Sequence, residues 1–292
     1  MSEIDADWLT RHPLPAVEDD TNKNARGRVL AAGGSTMVPG ALRLTGEAAL
    51  RAGAGKVQLA TVDPAALLLG MAMPEAAVFG LPANEEGELA ADAGGGLAKL
   101  LGRFDSLVLG PGMGEGSAAA PILRRVLASD EAAVPMVIDA AAIAGARGCA
   151  EGIRSRGKVV LTPHPGEMAA LMECDDAEVR DRPTALATRA AERFGAVVVL
   201  KQAETWIAAP GEEALHYRGG GPGLATAGSG DVLAGILGGL LARGTAPSVA
   251  AGWAVWLHGE AGRSLARRGS TGFLAREIAG QVPALMERHA KP

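Results

Sequence analysis

Six short apolar runs constrain this chain more than any other feature. "RVLAAGG", "KVQLAT", "SLVLGPG", "MVIDA", "KVVLTPH" and "AVVVLKQ" are rich in Val, Leu and Ile and are bounded by Gly or Pro. Apart from the opening K-V-Q-L of the second, they do not alternate apolar with polar residues. A strand with one wet face alternates, whereas a strand covered on both faces reads as a continuous run. Between the runs lie "ALRLTGEAALRAGA", "AAAPILRRVLAS", "PGEMAALME" and "RPTALATRAAERFG", which have helical spacing or composition. Strands that alternate with helices predict a mostly parallel central sheet with helices on both sides, a three-layer α/β/α fold. "ETWIAAPG" followed by "EEALHYRG" predicts an antiparallel hairpin near the sheet edge, and the final third of the chain reads as helical.

The 292 residues show no repeat, no low-complexity linker and no break in composition. The reading is therefore a single domain over 1–292 with a polar N-terminal arm at 1–25. The polar stretch from Asn84 to Gly96 is read as a surface loop. Aromatic residues make up only 3%, so the core must be built from Ala, Val, Leu and Ile. A net charge of −5 argues against a nucleic-acid partner bound through phosphate neutralisation. Cys149 and Cys174 neither frame a disulfide scaffold nor match metal-ligand spacing, which suits a reducing compartment. The start "MSEIDADWLTRHPLP" is acidic and lacks the basic start and apolar run expected of a signal peptide, and the longest apolar run, Val232 to Ala242, falls far short of a membrane span. A cytoplasmic protein without membrane contact is expected.

The glycines gather at the strand ends, where open α/β sheets bind ligands. Two familiar nucleotide signatures fail. "GPGMGEG" does not fit the dinucleotide fingerprint, and "GAGKV" lacks the spacing and hydroxyl of a phosphate loop. "TAGSGDVLAGILGGLLA" is more specific, because it sets Gly228, Ser229, Gly230 and Asp231 just before an apolar helix. Helix N-termini carry unpaired N–H groups and partial positive charge, and glycines let that backbone approach a phosphate. Asp231 could cap the helix or take a proton from an attacking hydroxyl. Gly235, Gly238 and Gly239 are read as positions of close helix packing. His164, held between Pro163 and Pro165, is either a loop histidine satisfying backbone groups or a substrate contact. Glu167 could cap the following helix or organise hydrated magnesium through water. Lys201, at a strand end, is either solvated or in contact with nucleotide phosphates, with Thr205 close by. Gly110, Gly112 and Gly114 offer bare backbone at another strand end.

In order along the chain, "GGSTMVPGA…AALRAGAG", "LGPGMG", "VIDA", "LTPHPGE", "VLKQAET" and "GGPGLATAGSGDVLAG" resemble the ADP-dependent NAD(P)H-hydrate dehydratases, a ribokinase-like family. The resemblance runs from about Arg28 to about Gly272, and "TPHPGE" and "GSGDVLAG" are its most specific blocks. It implies the form without the N-terminal epimerase domain that the family often carries. It also implies that ADP, or ATP, phosphorylates the hydroxyl of (S)-NAD(P)H-hydrate with Mg2+ present, and that elimination then restores NAD(P)H and releases AMP and phosphate. By the same resemblance Asp231 would activate the hydroxyl, and Ala41, Gly112 or Gly114, His164 and Asp231 would meet the hydrated dinucleotide. Lys201, Gln202, Ala203, Glu204, Thr205, Gly228, Ser229 and Gly230 would meet the adenine nucleotide. Symmetric homo-oligomers are implied as well. The chain departs from the family pattern at Ala141, Gln202, Gly221, Ala227 and Arg263. Two other readings share the anion loop: a small-molecule kinase acting on a hydroxymethylpyrimidine or thiazole alcohol, and a nucleotide-binding protein without catalysis.

Overall fold

The computed structural model describes residues 1–16, 22–114, 117–131 and 134–289. Ten strands form one sheet: β1 (Ser2–Glu3), β2 (Arg28–Ala32), β3 (Lys56–Val62), β4 (Ala77–Leu81), β5 (Ser106–Leu109), β6 (Met136–Ile138), β7 (Val159–Leu161), β8 (Val197–Lys201), β9 (Thr205–Ala208) and β10 (Leu215–Tyr217). Their spatial order is β1-β10-β9-β8-β7-β6-β5-β2-β3-β4. The six runs of the sequence are β2, β3, β5, β6, β7 and β8, six adjacent strands, all parallel. β9 then runs antiparallel to both β8 and β10, and β9 and β10 are the expected hairpin.

Each central strand is buried on both faces. Val29, Ala31, Val57, Val108, Val137 and Val160 belong to one core, while their neighbours Leu30, Ala32, Leu107, Leu109, Ile138 and Leu161 belong to the other. This division explains why the runs do not alternate. After β2 the chain moves outward to β3 and β4, and then returns to place β5 on the other side of β2. The order reverses between β2 and β5, and ligands of open α/β sheets bind outside the carboxyl ends at such a reversal.

The apolar helix Ser229–Ala242 lies across this reversal. A Cβ on Gly238 would come within 2.3 Å of Val108 Cγ2, and Ser106 Oγ donates to the Gly238 carbonyl at 2.8 Å. Gly235 and Gly239 face the helix Gly40–Arg51, where a Cβ on Gly235 would stand 2.2 Å from the Thr45 carbonyl oxygen. These glycines are close-packing positions, as the sequence implied. Gly235→Ala is expected to cost about 2 kcal/mol or more despite its better helix propensity, because two backbones must separate. Denaturant unfolding of the variant checks this expectation.

Three features differ from the sequence reading. The arm placed at 1–25 is not a loose polar tail, although residues 17–21 lie outside the described residues. β1 pairs in parallel with β10 and takes the sheet edge. The helix Ala6–Arg11, capped by Asp5, buries Trp8 and Leu9 in the core. Second, the surface loop assigned to 84–96 ends earlier, since a helix runs over Ala93–Leu100. Its three consecutive glycines disfavour a helix on propensity, but Gly94 lets it approach the Ile122 backbone, to 3.0 Å from an added Cβ. Third, β4 and the helix Asp63–Ala72 were not foreseen. The final third is helical as expected, over Ser229–Ala242, Pro247–Ala266, Ala275–Ala279 and Val282–His289. Among the described residues no helix is long and apolar enough to cross a membrane.

Candidate active site

The carboxyl ends of β6, β7 and β8 bring three polar groups together. Asp139 follows β6 and is 2% exposed. Its Oδ1 accepts from Lys201 Nζ, at the end of β8, at 2.7 Å and from Thr162 Oγ1, just past β7, at 2.5 Å. Ala140, next in the chain, has φ +49 and ψ −135. A residue with a Cβ holds that conformation only where its surroundings impose it. Burial opposes the charge on Lys201, but Asp139, Glu167 and Asp231 together more than offset it and hold its pKa above the usual lysine value.

The anion loop comes in from the other side. Gly228, with φ +87, is the N-cap of the Ser229–Ala242 helix, a conformation that favours glycine. No side chain caps this helix. Asp231 is thus inside the first turn and is not the cap, which corrects the placement of the whole Gly-Ser-Gly-Asp stretch before the helix. Burial and the nearby Asp139 push its carboxyl up to about 6, and Lys201 opposes them. The loop comes close to the strand-end lysine: a Cβ on Gly230 would lie 3.7 Å from Lys201 Nζ.

His164 is the N-cap of the helix Pro165–Met172. Its Nδ1 accepts from the Glu167 N–H at 3.2 Å, and Glu167 Oε2 accepts from the His164 N–H at 2.8 Å. Both residues therefore make the backbone contacts that were weighed for them, as a reciprocal capping box. Burial raises the Glu167 carboxyl, with Lys201 acting against it.

A cavity of about 850 Å³ opens over this end of the sheet. Its polar part is lined by His164, Lys201, Gln202, Thr205, Ser229 and Gly230, and its apolar part by Tyr217, Leu224, Leu233 and Val255. Such a volume suits a ligand of nucleotide size. Ala203 also lines it, whereas Glu204 turns its carboxylate to His216 Nε2 at 2.7 Å. Ala41, Gly112 and Gly114 do not line this cavity. Gly112, past the end of β5, packs on Ala41 of the helix Gly40–Arg51, where an added Cβ would stand 2.7 Å from Ala41 Cβ, while the Gly114 N–H donates to Glu88 Oε2 at 2.9 Å.

Sequence reasoning missed three side chains. Asp139 stood in view within "VIDA" as an acid at the end of an apolar strand, and that position was its signal. Thr162 opens the "TPHPGE" block without a role of its own. His258 lies in the apolar helix Pro247–Ala266, where a lone histidine reads as a core residue. In the structure its Nε2 meets Ser229 Oγ at 2.9 Å and lines the cavity.

Residues 29–284 match the family described as NAD(P)H-hydrate dehydratase. An ADP-dependent (S)-NAD(P)H-hydrate dehydratase of Xanthomonas campestris pv. campestris is 44% identical over 98% of this chain and 96% of its own length. A bifunctional NAD(P)H-hydrate repair enzyme of Moorella thermoacetica is 38% identical over 97% of this chain, which spans 53% of that longer protein. Among solved structures, the ADP/ATP-dependent NAD(P)H-hydrate dehydratase of Bacillus subtilis, crystallised with ATP and Mg2+, superimposes with a TM-score of 0.82 at 26% identity over 99% of this chain and 98% of that one. With the family match covering most of its length and the anion loop, strand-end lysine and helix-capping histidine in place, this chain belongs to the NAD(P)H-hydrate dehydratase family.

Proposed function

We propose that the chain dehydrates (S)-NAD(P)H-hydrate to NAD(P)H, with ADP as the phosphoryl donor. One observation carries this reading. Ser229 and Gly230 at a helix N-terminus and Lys201 at the end of β8 line one cavity of nucleotide size, and Asp231, in the first turn of that helix, is near enough to Lys201 for its carboxyl to feel the lysine charge.

The apolar part of the cavity would take the adenine nucleoside, and Lys201 and Thr205 its phosphates. The unpaired N–H groups of the first helical turn, with the partial positive charge of the helix end, would hold the phosphoryl group as it moves. Asp231 would take the proton from the substrate hydroxyl. That oxygen bonds to the terminal phosphorus of ADP as the bond to AMP breaks. The phosphorylated oxygen then leaves as phosphate while the ring loses a proton and regains its double bond. His164, Ala41, Gly112 and Gly114 are our candidates for contact with the hydrated dinucleotide.

Mg2+ would shield the phosphate charges. Asp139 is committed to Lys201 and Thr162, and Glu167 to the His164 N–H. That donor set fits an ion held by phosphate oxygens and water, with Glu167 reaching it through water. We also read 1–292 as a single domain, supported by the continuous sheet. Two free cysteines favour a cytoplasmic setting. A homo-oligomer is favoured by Leu67, Leu68 and Met71, which are 76%, 66% and 77% exposed on the helix that leads into the edge strand β4.

The test is recovery of the near-ultraviolet absorbance of reduced nicotinamide from hydrated NADPH, with Mg2+ and either ADP or ATP. A rise with ADP is expected. No rise with either nucleotide, while nucleotide binding persists, would remove the dehydratase reading and leave the kinase or the inert binder. A carboxylate that must be ionised to act also gives a pH signature. With Asp231 held near 6, kcat/KM should fall on the acid side with a limb at about pH 6. A limb at the ordinary aspartate value would take Asp231 out of the role of base.

A further inference from the structure

His258 is unassigned by the reading above, although it faces the anion loop from the neighbouring helix. Its Nε2 lies 3.0 Å from the backbone carbonyl of Ser229 and 2.9 Å from Ser229 Oγ. A carbonyl oxygen only accepts, so the first contact requires the ring proton to be on Nε2. A protonated Nε2 has no lone pair left, so Ser229 cannot donate to it. The hydroxyl oxygen accepts, and the hydroxyl proton is left to point elsewhere. Ser229 lines the cavity, so the space above the helix N-terminus is open to that proton.

We propose that His258 is a positioning residue that fixes the hydroxyl of Ser229 as a donor to the phosphoryl group of the bound nucleotide. The inference rests on the dehydratase reading only for the identity of the nucleotide; the hydrogen-bond pattern would serve any phosphate at this helix end. Burial also pushes the imidazole down to about 4, so it stays neutral at physiological pH and keeps a single donor there. It therefore adds no positive charge of its own and acts through the orientation of Ser229. The role differs from that of Lys201, which supplies charge.

A cycle of variants tests this. Ser229→Ala removes the donor, and His258→Leu removes what orients it while keeping an apolar side chain of fair size in the helix. His258→Gln can return an amide N–H near the position of Nε2. Each single loss is expected to lower kcat/KM for MgADP about tenfold, the effect of one hydrogen bond to a charged group. The double variant should fall no further than Ser229→Ala alone, and His258→Gln should stay within about threefold of the parent. A residue that only filled space would give the reverse, with Leu tolerated and Gln impaired, or with the two losses multiplying in the double variant. Either result would overturn the proposal. If His258→Leu does not fold, His258→Asn, with the same amide on too short a stem, takes its place and should behave as a loss. The same cycle read as MgADP affinity by calorimetry separates the two ideas. Coupled losses of affinity without any dehydratase turnover in the parent would keep His258 and discard the reaction.

Discussion

Asp231→Asn is expected to lower kcat for hydrated NADPH by about a thousandfold while MgADP still binds, within the range that general-base catalysis commands. Asparagine keeps the shape and the first helical turn but cannot take a proton. The same substitution should stabilise the protein at neutral pH. The carboxyl titrates at about 6 in the fold against 3.8 ordinarily, so ionising it in place costs free energy. Raised in this way, it favours the folded state fully below the unfolded value, and that contribution is lost as pH climbs toward 6. At pH 7 and above the wild type has lost it and the asparagine variant has not. An increase in unfolding free energy of about 3 kcal/mol is expected there, shrinking to nothing about one pH unit below the ordinary aspartate value. Paired denaturant titrations at the two pH values measure this. A variant that loses activity and stability together would mark Asp231 as structural; one that keeps its activity would end the base role.

How much of this was legible depended on how local the signal was. The six central strands were readable because burial on both faces leaves a continuous run, and no tertiary detail is needed to see one. β1 could not be read, since two residues, Ser2 and Glu3, owe their extended form wholly to pairing with β10. The Ala93–Leu100 helix was hidden because three consecutive glycines oppose a helix on propensity, and the close contacts of Gly94 with Ile122 and of Gly96 with Leu81 are tertiary. The site divides in the same way. The anion loop and the Pro-His-Pro segment carry their chemistry in consecutive residues. Asp139, Thr162 and Lys201 come from three strands, and only the parallel register β6-β7-β8 makes them neighbours. His258 lies 29 residues beyond Ser229, and only helix packing joins them. Sequence showed the glycine loop with Asp231, Lys201 and His164, and the structure added Asp139, Thr162 and His258, which pair with Lys201, Asp139 and Ser229.

The Asp139–Lys201 pair is where this matters most. Lys201→Met keeps the aliphatic stem but leaves a carboxylate, 2% exposed, with Thr162 as its remaining side-chain donor. Breaking one side of a buried pair is costly because the other charge stays behind. A loss of about 3 kcal/mol in unfolding free energy is expected. Activity should fall as well, in a way that stability alone does not explain. Lys201 is the group that holds the Asp231 carboxyl down against burial and Asp139, so its removal should move the acid limb of kcat/KM to a higher pH than in the wild type. The double variant Asp139→Leu, Lys201→Met separates the two effects. With both charges gone, no carboxylate is left stranded at position 139, and most of the stability should return. The activity should not, because the cation that faces the anion loop is still missing. A single variant as stable as the wild type would show that Asp139 finds another partner, and a double variant that recovered turnover would show that Lys201 serves the fold and not the phosphates.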